Sequence, residues 1–499
     1  MSVRELLQGH GEAGSAGDIV VRGLSLDSRR VNARDAFVAL AGAHAHGITF
    51  APAASARGAA VILSEKQIID APVPPAASGM EASTNLAPVV WIDGLREHLG
   101  AIAARFFGEP SRAMSVIGVT GTNGKTSTVH LLAQALDRAG RRVATIGTLG
   151  AGLHGALHEG ERTTPDAVAV QGLLADFRDA GASHVAMEVS SHALDQGRVN
   201  GVAFDVAVFT NLTRDHLDYH GTMAAYGAAK KRLFTWPALG AAVINVDDAF
   251  GRTLADSLPA EVTRLRYGIE NPAGDVVASA LESGSDGQTF TLVTPWGTGR
   301  VATRLLGRFN VSNLLAVAAC LGQLGFSFAA ISDALAALDP VAGRMSRLGG
   351  VRAQPLIVVD YAHTPDALEQ ALTSLRAHCT GRLVCVFGCG GERDIGKRPQ
   401  MGEIAERLAD RIVITDDNPR AENGDVIVEQ IVAGLARPLG AIVERDRADA
   451  IACAIGLAQA GDIVLIAGKG HEPYQEVRGE KRPFDDLAVA RRALEQRAC

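Results

Sequence analysis

SVIGVTGTNGKTST, residues 115–128, passes from an apolar segment (Val116, Ile117, Val119) through a glycine turn, Gly121-Thr122-Asn123-Gly124, straight into Lys125 and Thr126. Leu131, Leu132, Ala135 and Leu136 then recur at helical spacing as far as Gly140. Strand, glycine loop and helix in that order make a phosphate cradle. The loop N–H groups and the helix N-terminus face an anion, the lysine reaches the outer phosphates, and the hydroxyl is placed for Mg²⁺. Five residues separate Gly118 from Gly124, one more than the common pattern has. Gly-Lys-Thr alone occurs in many unrelated turns, so the weight of the reading rests on the flanking strand and helix.

Outward from this loop, strand and helix signals alternate. Residues 143–146, 184–189, 206–210 and 242–246 read as strands with helical stretches between several of them, the pattern of a parallel sheet covered on both faces. Thr163-Thr164-Pro165-Asp166 reads as a helix entry, with Thr164 as N-cap and Pro165 at the first helical position. Residues 265–301 alternate without helical period, which predicts a small antiparallel excursion. Past Asp339-Pro340 a second series follows (356–359, 383–387, 412–415, 463–467), predicting another doubly wound sheet with ligands beyond its strand C-termini. Before the loop, apolar runs at 36–40, 59–63 and 89–92 are interrupted by a Pro-, Ala- and Ser-rich surface loop at 71–88.

At 499 residues the chain exceeds one ordinary core, and several domains are expected. With 21% charged and 47% hydrophobic residues it reads as a soluble globular protein. A net charge of −7 without any Lys/Arg block argues against a nucleic-acid partner. No apolar run approaches a membrane span, and the N-terminus lacks a signal core. The six cysteines show no C-x-x-C spacing, so reduced thiols and the cytoplasm are the simplest reading.

Polar groups gather where strands end. Glu188, Ser190, Ser191 and His192 follow one strand, and an acid so placed downstream of a phosphate loop commonly serves the metal of the nucleotide. Residues 210–220 bring Asp215, His216, Asp218 and His220 together; Mg²⁺ would need only one or two of them, zinc a closed set, and a solvated polar turn needs none. Lys230 and Lys231 lie in an Ala-rich helix, where spacing alone does not raise them above solvated face residues. In the last domain Asp360 opens DYAHTP, and GCGGER (388–393) lacks the third glycine of a dinucleotide fingerprint. Arg393, Arg420, Lys469, His471 and Glu472 would pool into a mostly cationic pocket with one carboxylate, suited to a small substrate both carboxylated and aminated. The 26–29 and 43–47 clusters read by themselves as turn chemistry.

GTNGKT, MEVSSH, FTNLTRDHLDYH, FNVSN, GRM, VDYAHTPD, FGCGGERD, DDNPR and AGKGHE stand in the order found in Mur ligases, and the chain resembles that family, in its diaminopimelate-adding branch, over nearly its full length. The resemblance implies an α/β protein of three domains: a UDP-binding domain (1–93), a central P-loop-type ATPase domain (94–338) and a C-terminal Rossmann-like domain that brings the amino acid (339–499). It implies a cytoplasmic, monomeric, Mg²⁺- and ATP-dependent ligase that adds meso-diaminopimelate to UDP-N-acetylmuramoyl-L-alanyl-D-glutamate for peptidoglycan. By the same resemblance Leu26, Ser28, Ala43, His44 and Ala45 hold the nucleotide head. Thr163, Thr164, Ser190, Gln196 and Arg198 contact the rest of the muramyl dipeptide, with Arg162 where the family pattern carries Asn. Gly121, Thr122, Asn123, Gly124, Lys125, Thr126 and Ser127 form the ATP loop, and Asn313, Arg344 and Asp360 serve the adenosine side. Thr126, Glu188 and His216 are implied metal contacts and Lys230 a carbamylated lysine, these acting with Lys125 in catalysis. Arg393, Asp417, Asn418, Pro419, Arg420, Gly468 and Glu472 are the implied diaminopimelate residues. Folylpolyglutamate synthetase shares the phosphate loop but has no use for the DNPR arginine. A non-catalytic scaffold would have been free to lose Lys125, Thr126, Glu188 and His216, and a dehydrogenase is disfavoured by the defective fingerprint.

Overall fold

The computed structural model describes residues 1–42, 45–66, 86–160, 162–284, 286–351 and 354–497. Most of the expected 71–88 loop, and the expected nucleotide contacts Ala43 and His44, lie outside the described residues. At the N-terminal end β1 (Gly23–Ser25), β2 (Asp35–Ala39), β3 (Val61–Glu65) and β4 (Val89–Ile92) pair in that order, all parallel. The helix Leu95–Phe106 lies past residue 93, yet its Leu95, Leu99, Ile102 and Ala103 pack into the core of this first sheet.

The central sheet has eleven strands: β5 (Ser115–Thr120), β6 (Val143–Gly147), β7 (Gly150–Leu153), β8 (Ala156–His158), β9 (His184–Glu188), β10 (Val206–Phe209), β11 (Ala241–Asn245), β12 (Thr263–Ile269), β13 (Val276–Gly284), β14 (Gly287–Thr294) and β15 (Gly297–Thr303). Their spatial order is β15-β14-β13-β12-β11-β10-β5-β9-β6-β7-β8. The middle of the sheet is parallel, and its near-continuous Val/Ile/Ala runs are buried on both faces. Val116 of β5 packs on one face while Ile117 and Val119 pack on the other. The antiparallel excursion begins later than expected: β12 pairs parallel with both neighbours, and β13–β15 simply extend the same sheet. Because β9 and β10 flank β5 on opposite sides, the chain reverses direction across the sheet there, which opens a crevice at the strand C-termini.

A third sheet is built from β16 (Ser346–Gly349), β17 (Leu356–Asp360), β18 (Leu383–Phe387), β19 (Arg411–Ile414), β20 (Ala441–Val443) and β21 (Ile463–Ala467), ordered β16-β17-β21-β18-β19-β20 and parallel except for β16. A hairpin, β22 (Tyr474–Val477) and β23 (Glu480–Pro483), follows. Leu306, just before the helix Arg308–Gln323 that packs on the central sheet, is part of this third sheet's core and Phe309 packs against it, so the two α/β units share an apolar seam.

The expected helix entry at Thr164 is displaced. The helix runs Ala167–Asp179 and is capped by Asp166, whose carboxylate accepts from the N–H groups of Val168 and Ala169. Thr164 is turned to tertiary partners instead: its hydroxyl donates to Glu188 O at 2.9 Å and accepts from Ser190 N at 3.2 Å.

Candidate active site

The irregular glycine spacing has a packing cause. Gly118 lies inside β5, where a Cβ would sit 2.8 Å from the Phe204 ring, so it serves the core and not the loop. The turn is made by Gly121 (φ +147°) and Gly124 (φ +86°), the latter just before the helix Lys125–Arg138. A Cβ on Gly121 would lie 1.9 Å from Thr210 Oγ1, in the segment after β10. That segment braces the loop: Asn211 Oδ1 accepts from Asn123 N, and Thr210 Oγ1 donates to Asn123 O.

Two lysine side chains converge on this loop. Lys125 Nζ donates to Gly121 O (3.0 Å) and Thr122 O (2.9 Å), while Lys230 Nζ donates to the same Gly121 O at 2.7 Å. Lys230 is 1% exposed, unlike its half-exposed neighbour Lys231, and stands 4.4 Å from the centre of the Tyr226 ring. Burial, with the nearby Lys125 charge, holds the Lys230 amine well below the usual lysine range. Lys125 is lowered by burial too, against the opposing pull of Glu188 and Asp215.

Glu188, at the end of β9, is buried. Its carboxylate accepts from Thr148 N (2.7 Å) and Thr148 Oγ1 (3.2 Å), in the segment after β6. His216 adopts φ +53°, a strained value for a non-glycine residue. Its Nε2 is 3.4 Å from Asp215 Oδ2, and its ring meets His192 edge-on at 4.8 Å. Burial lowers the pKa of His216, and pushes His192, beside His216 and His220, down to about 4. Of the four candidates at 215–220, His220 turns to Ser191 Oγ (3.0 Å). Among the described residues no set of three His, Cys, Asp or Glu side chains is arranged to hold a metal by itself. The five described cysteines are free thiols, and no described helix is long and apolar enough to cross a membrane.

Residues far apart in sequence close the site. Arg344 lies over the Tyr361 ring at 4.5 Å and donates to Thr126 Oγ1 (3.3 Å); Ser127 is buried beside it. Asp360 accepts from Met345 N and Ala362 N, pinning the Arg344 turn to the end of β17. Asn313 Oδ1 accepts from Thr128 Oγ1 and would collide with any side chain at Gly124. Asp366, on the third unit, accepts from Asn123 Nδ2 at 3.1 Å.

The expected dipeptide residues form one linked patch. Thr163 Oγ1 and Thr148 Oγ1 are 3.2 Å apart, Ser190 N donates to Thr164 Oγ1, Arg198 donates to Thr164 O and Gln196 Oε1, and Gln196 Nε2 donates to Tyr219 OH. Arg162 is close enough to Arg198 to lower its pKa further, after burial. In the first unit Ser28 opens a short turn capped by Asp27, Leu26 packs at the core edge, and Ala45 O accepts from Gly42 N.

The loops after β18, β19 and β21 meet as expected, but the charge balance differs from the mostly cationic pocket read from the sequence. Asp417, Glu472 and Glu476 all stand among the cations. Lys469 is wholly buried, and an ammonium stripped of water is tolerated only with such partners. Arg420, at φ +52°, donates to Gly391 O (2.7 Å) and lies 3.5 Å from Glu476 Oε2. Arg393 is exposed beside Gly390, which Arg420 also approaches. Asn418 Nδ2 donates to Glu472 Oε2, and a Cβ on Gly468 would lie 2.9 Å from Asp417 Oδ2. Pro419 O packs where a Cβ on Gly391 would be. His471 leaves this pocket: its ring sits 5.2 Å from Tyr361, and burial beside Arg344 pushes its pKa down to about 4.

Thr148, Tyr226, Asp366 and the bracing role of Thr210 went unread in the sequence. Tyr226 stands four residues before Lys230 on one helix, a spacing that places both on one face, and its hydroxyl is 3.2 Å from Thr122 Oγ1. Thr148 and Asp366 carry no comparable local signal.

A three-sheet α/β protein with two lysines converging on a glycine loop is the class that fold and site define. More narrowly, the chain belongs to the Mur ligase family. Residues 20–107 match the family's catalytic domain, 119–321 the Mur ligase middle domain and 343–470 the glutamate ligase domain. It is 58% identical over 480 residues to the UDP-N-acetylmuramoyl-L-alanyl-D-glutamate–2,6-diaminopimelate ligase of Xanthomonas campestris pv. campestris (strain 8004), covering 96% of this chain and 95% of that one. The protein of that name from Pseudomonas aeruginosa is 50% identical over 477 residues, with 96% of each chain covered. A solved structure of a diaminopimelate ligase of the same description, 37% identical, superposes over 100% of both chains with a TM-score of 0.73.

Proposed function

We propose that the chain is an ATP-dependent amide ligase that joins meso-diaminopimelate to the glutamyl side-chain carboxylate of UDP-N-acetylmuramoyl-L-alanyl-D-glutamate, releasing ADP and phosphate. The full-length likeness to relatives named for this reaction carries the reading. In it, the first unit receives the uridine nucleotide through Leu26, Ser28 and Ala45. The central P-loop-type unit binds ATP between the Gly121–Ser127 loop and Asn313, Arg344 and Asp360. The last, Rossmann-like unit brings the amino acid to Asn418, Arg420 and Glu472.

A carboxylate is a poor electrophile, so ATP first converts it to an acyl phosphate. The amine of diaminopimelate then attacks, and phosphate leaves as the amide forms. Lys125 and the loop N–H groups neutralise charge on the transferring phosphoryl group. The Lys125 ammonium already sits at the mouth of the loop, 2.9 Å from Thr122 O. Thr164, Ser190 and Arg198 hold the dipeptide so that its carboxylate faces the terminal phosphate, with no Ser or Cys nucleophile in the scheme.

Mg²⁺ fits the residues present. The Thr126 hydroxyl and a Glu188 carboxylate fixed by Thr148 are hard oxygen donors, and His216 stands close enough to Lys125 and Lys230 to feel their charges. These three would hold the ion, and it would supply further neutralisation of phosphate charge. Lys230 is read as a carbamate-bearing lysine, because its depressed pKa favours the neutral amine that reacts with CO₂.

The test is an amine screen with UDP-muramyl dipeptide and ATP held fixed. Phosphate release should depend on diaminopimelate and stay near background with lysine. Equal turnover with lysine, or release with a folate in place of the muramyl substrate, would overturn the assignment.

A further inference from the structure

We propose that Lys469 is a positioning residue for amino-acid recognition: it fixes the amide orientation of Asn418 and the carboxylate of Glu472, so that the pocket shows the incoming amino acid one N–H donor beside one carboxylate acceptor. The inference rests on the reading of this pocket as the diaminopimelate site.

Lys469 lies between Gly468 (φ +118°) and Gly470 (φ +56°), which turn the segment after β21 inward. Its side chain is 0% exposed, so its ammonium is not itself a substrate contact. Nζ donates to Asn418 Oδ1 at 2.9 Å and to Glu472 Oε2 at 3.2 Å, and lies 3.6 Å from Asp417 Oδ1. Asn418 Oδ1 also accepts from Glu476 N at 2.9 Å. With two donors converging on it, that atom has to be the carbonyl oxygen, and the amide is fixed in one of its two flips. Asn418 Nδ2 then gives one hydrogen to Glu472 Oε2 at 2.8 Å. Its second hydrogen has no acceptor among the described residues. Glu472 Oε2 takes both the lysine and the amide, so Oε1 remains to accept from an ammonium group. Without Lys469, the carboxylates of Asp417 and Glu472 would lose the cation they share, and the Asn418 amide would lose a donor that sets its orientation.

The experiment is steady-state kinetics of Lys469→Met against wild type, varying each substrate in turn. The KM for diaminopimelate should rise roughly ten- to hundredfold, as expected when a buried partner is removed, while the KM for ATP stays within about threefold. Asn418→Ala should absorb the part of the effect carried by the amide: Lys469→Met should raise the KM by a smaller factor in the Asn418→Ala background than in wild type, the remainder acting through Glu472. A diaminopimelate KM within twofold of wild type, with only a lowered Tm, would overturn the proposal, as would full additivity in the double variant. If Lys469→Met is not obtained as soluble protein, Lys469→Met/Glu472→Gln is compared with Glu472→Gln; an equal KM overturns the proposal and a KM about tenfold higher or more supports it. Failure of the wild type itself to ligate diaminopimelate would instead sink the reading of the pocket.

Discussion

Lys125 and Lys230 direct their side-chain nitrogens at one carbonyl oxygen, Gly121 O, and so bring two basic groups to the glycine loop. In the proposed reaction, removing the charge of Lys125 deletes stabilisation of the transferring phosphoryl group. Lys125→Ala should therefore lower kcat by roughly a hundredfold or more, with a Tm near that of wild type; near-normal turnover would show that the loop is not the site of chemistry. Lys230→Ala should be nearly inactive and regain turnover when short-chain carboxylic acids are added, since these replace a carbamate but not an ammonium. A lack of rescue over a full concentration series, with unmodified Lys230 by mass spectrometry of the intact protein, would remove the carbamate. At this scale Lys125 was legible because its motif is local. Lys230 was singled out only through the family resemblance: its burial comes from tertiary packing, and the spacing of the Ala-rich helix by itself did not separate it from Lys231.

The element on which both lysines converge is the β5 turn. Gly121 combines a φ of +147° with a contact that leaves no space for a Cβ against Thr210. Gly121→Ala should cost at least about 1–3 kcal/mol, seen as a fall of several degrees in Tm together with weaker ATP binding by calorimetry. An unchanged melting curve would mean that the loop is looser than described. Strands were the best-read elements, because runs such as 383–387 and 463–467 are apolar enough to be buried on both faces. The helix entry was misread because Thr164 and Asp166 are both good caps by type, and only the tertiary bonds of the Thr164 hydroxyl, to Glu188 O and from Ser190 N, decide between them.

At the scale of the molecule, the candidate site is completed where the units meet. Arg344 and Thr126 are 218 residues apart in the chain, and Asn123 and Asp366 are 243 apart. No periodicity or spacing announces such pairs, which is why the meeting of loops was expected but the balance of charge in the last pocket was not. Lysine differs from diaminopimelate in lacking the distal carboxylate, and would leave Arg420 with one partner fewer. A site built on such a contact discriminates by up to about four orders of magnitude. Arg420→Ala should raise the KM for diaminopimelate roughly ten- to hundredfold and leave that for ATP nearly unchanged; an effect confined to ATP would move Arg420 out of the amino-acid pocket.

The central claim, that ATP activates the glutamyl carboxylate of the muramyl substrate for attack by diaminopimelate, is tested most directly by labelling that carboxylate with oxygen-18 and analysing the phosphate released during ligation. An acyl phosphate transfers one carboxylate oxygen to phosphorus, so the account predicts one labelled oxygen in each phosphate formed, alongside the tripeptide product. Unlabelled phosphate accompanying normal product would contradict it.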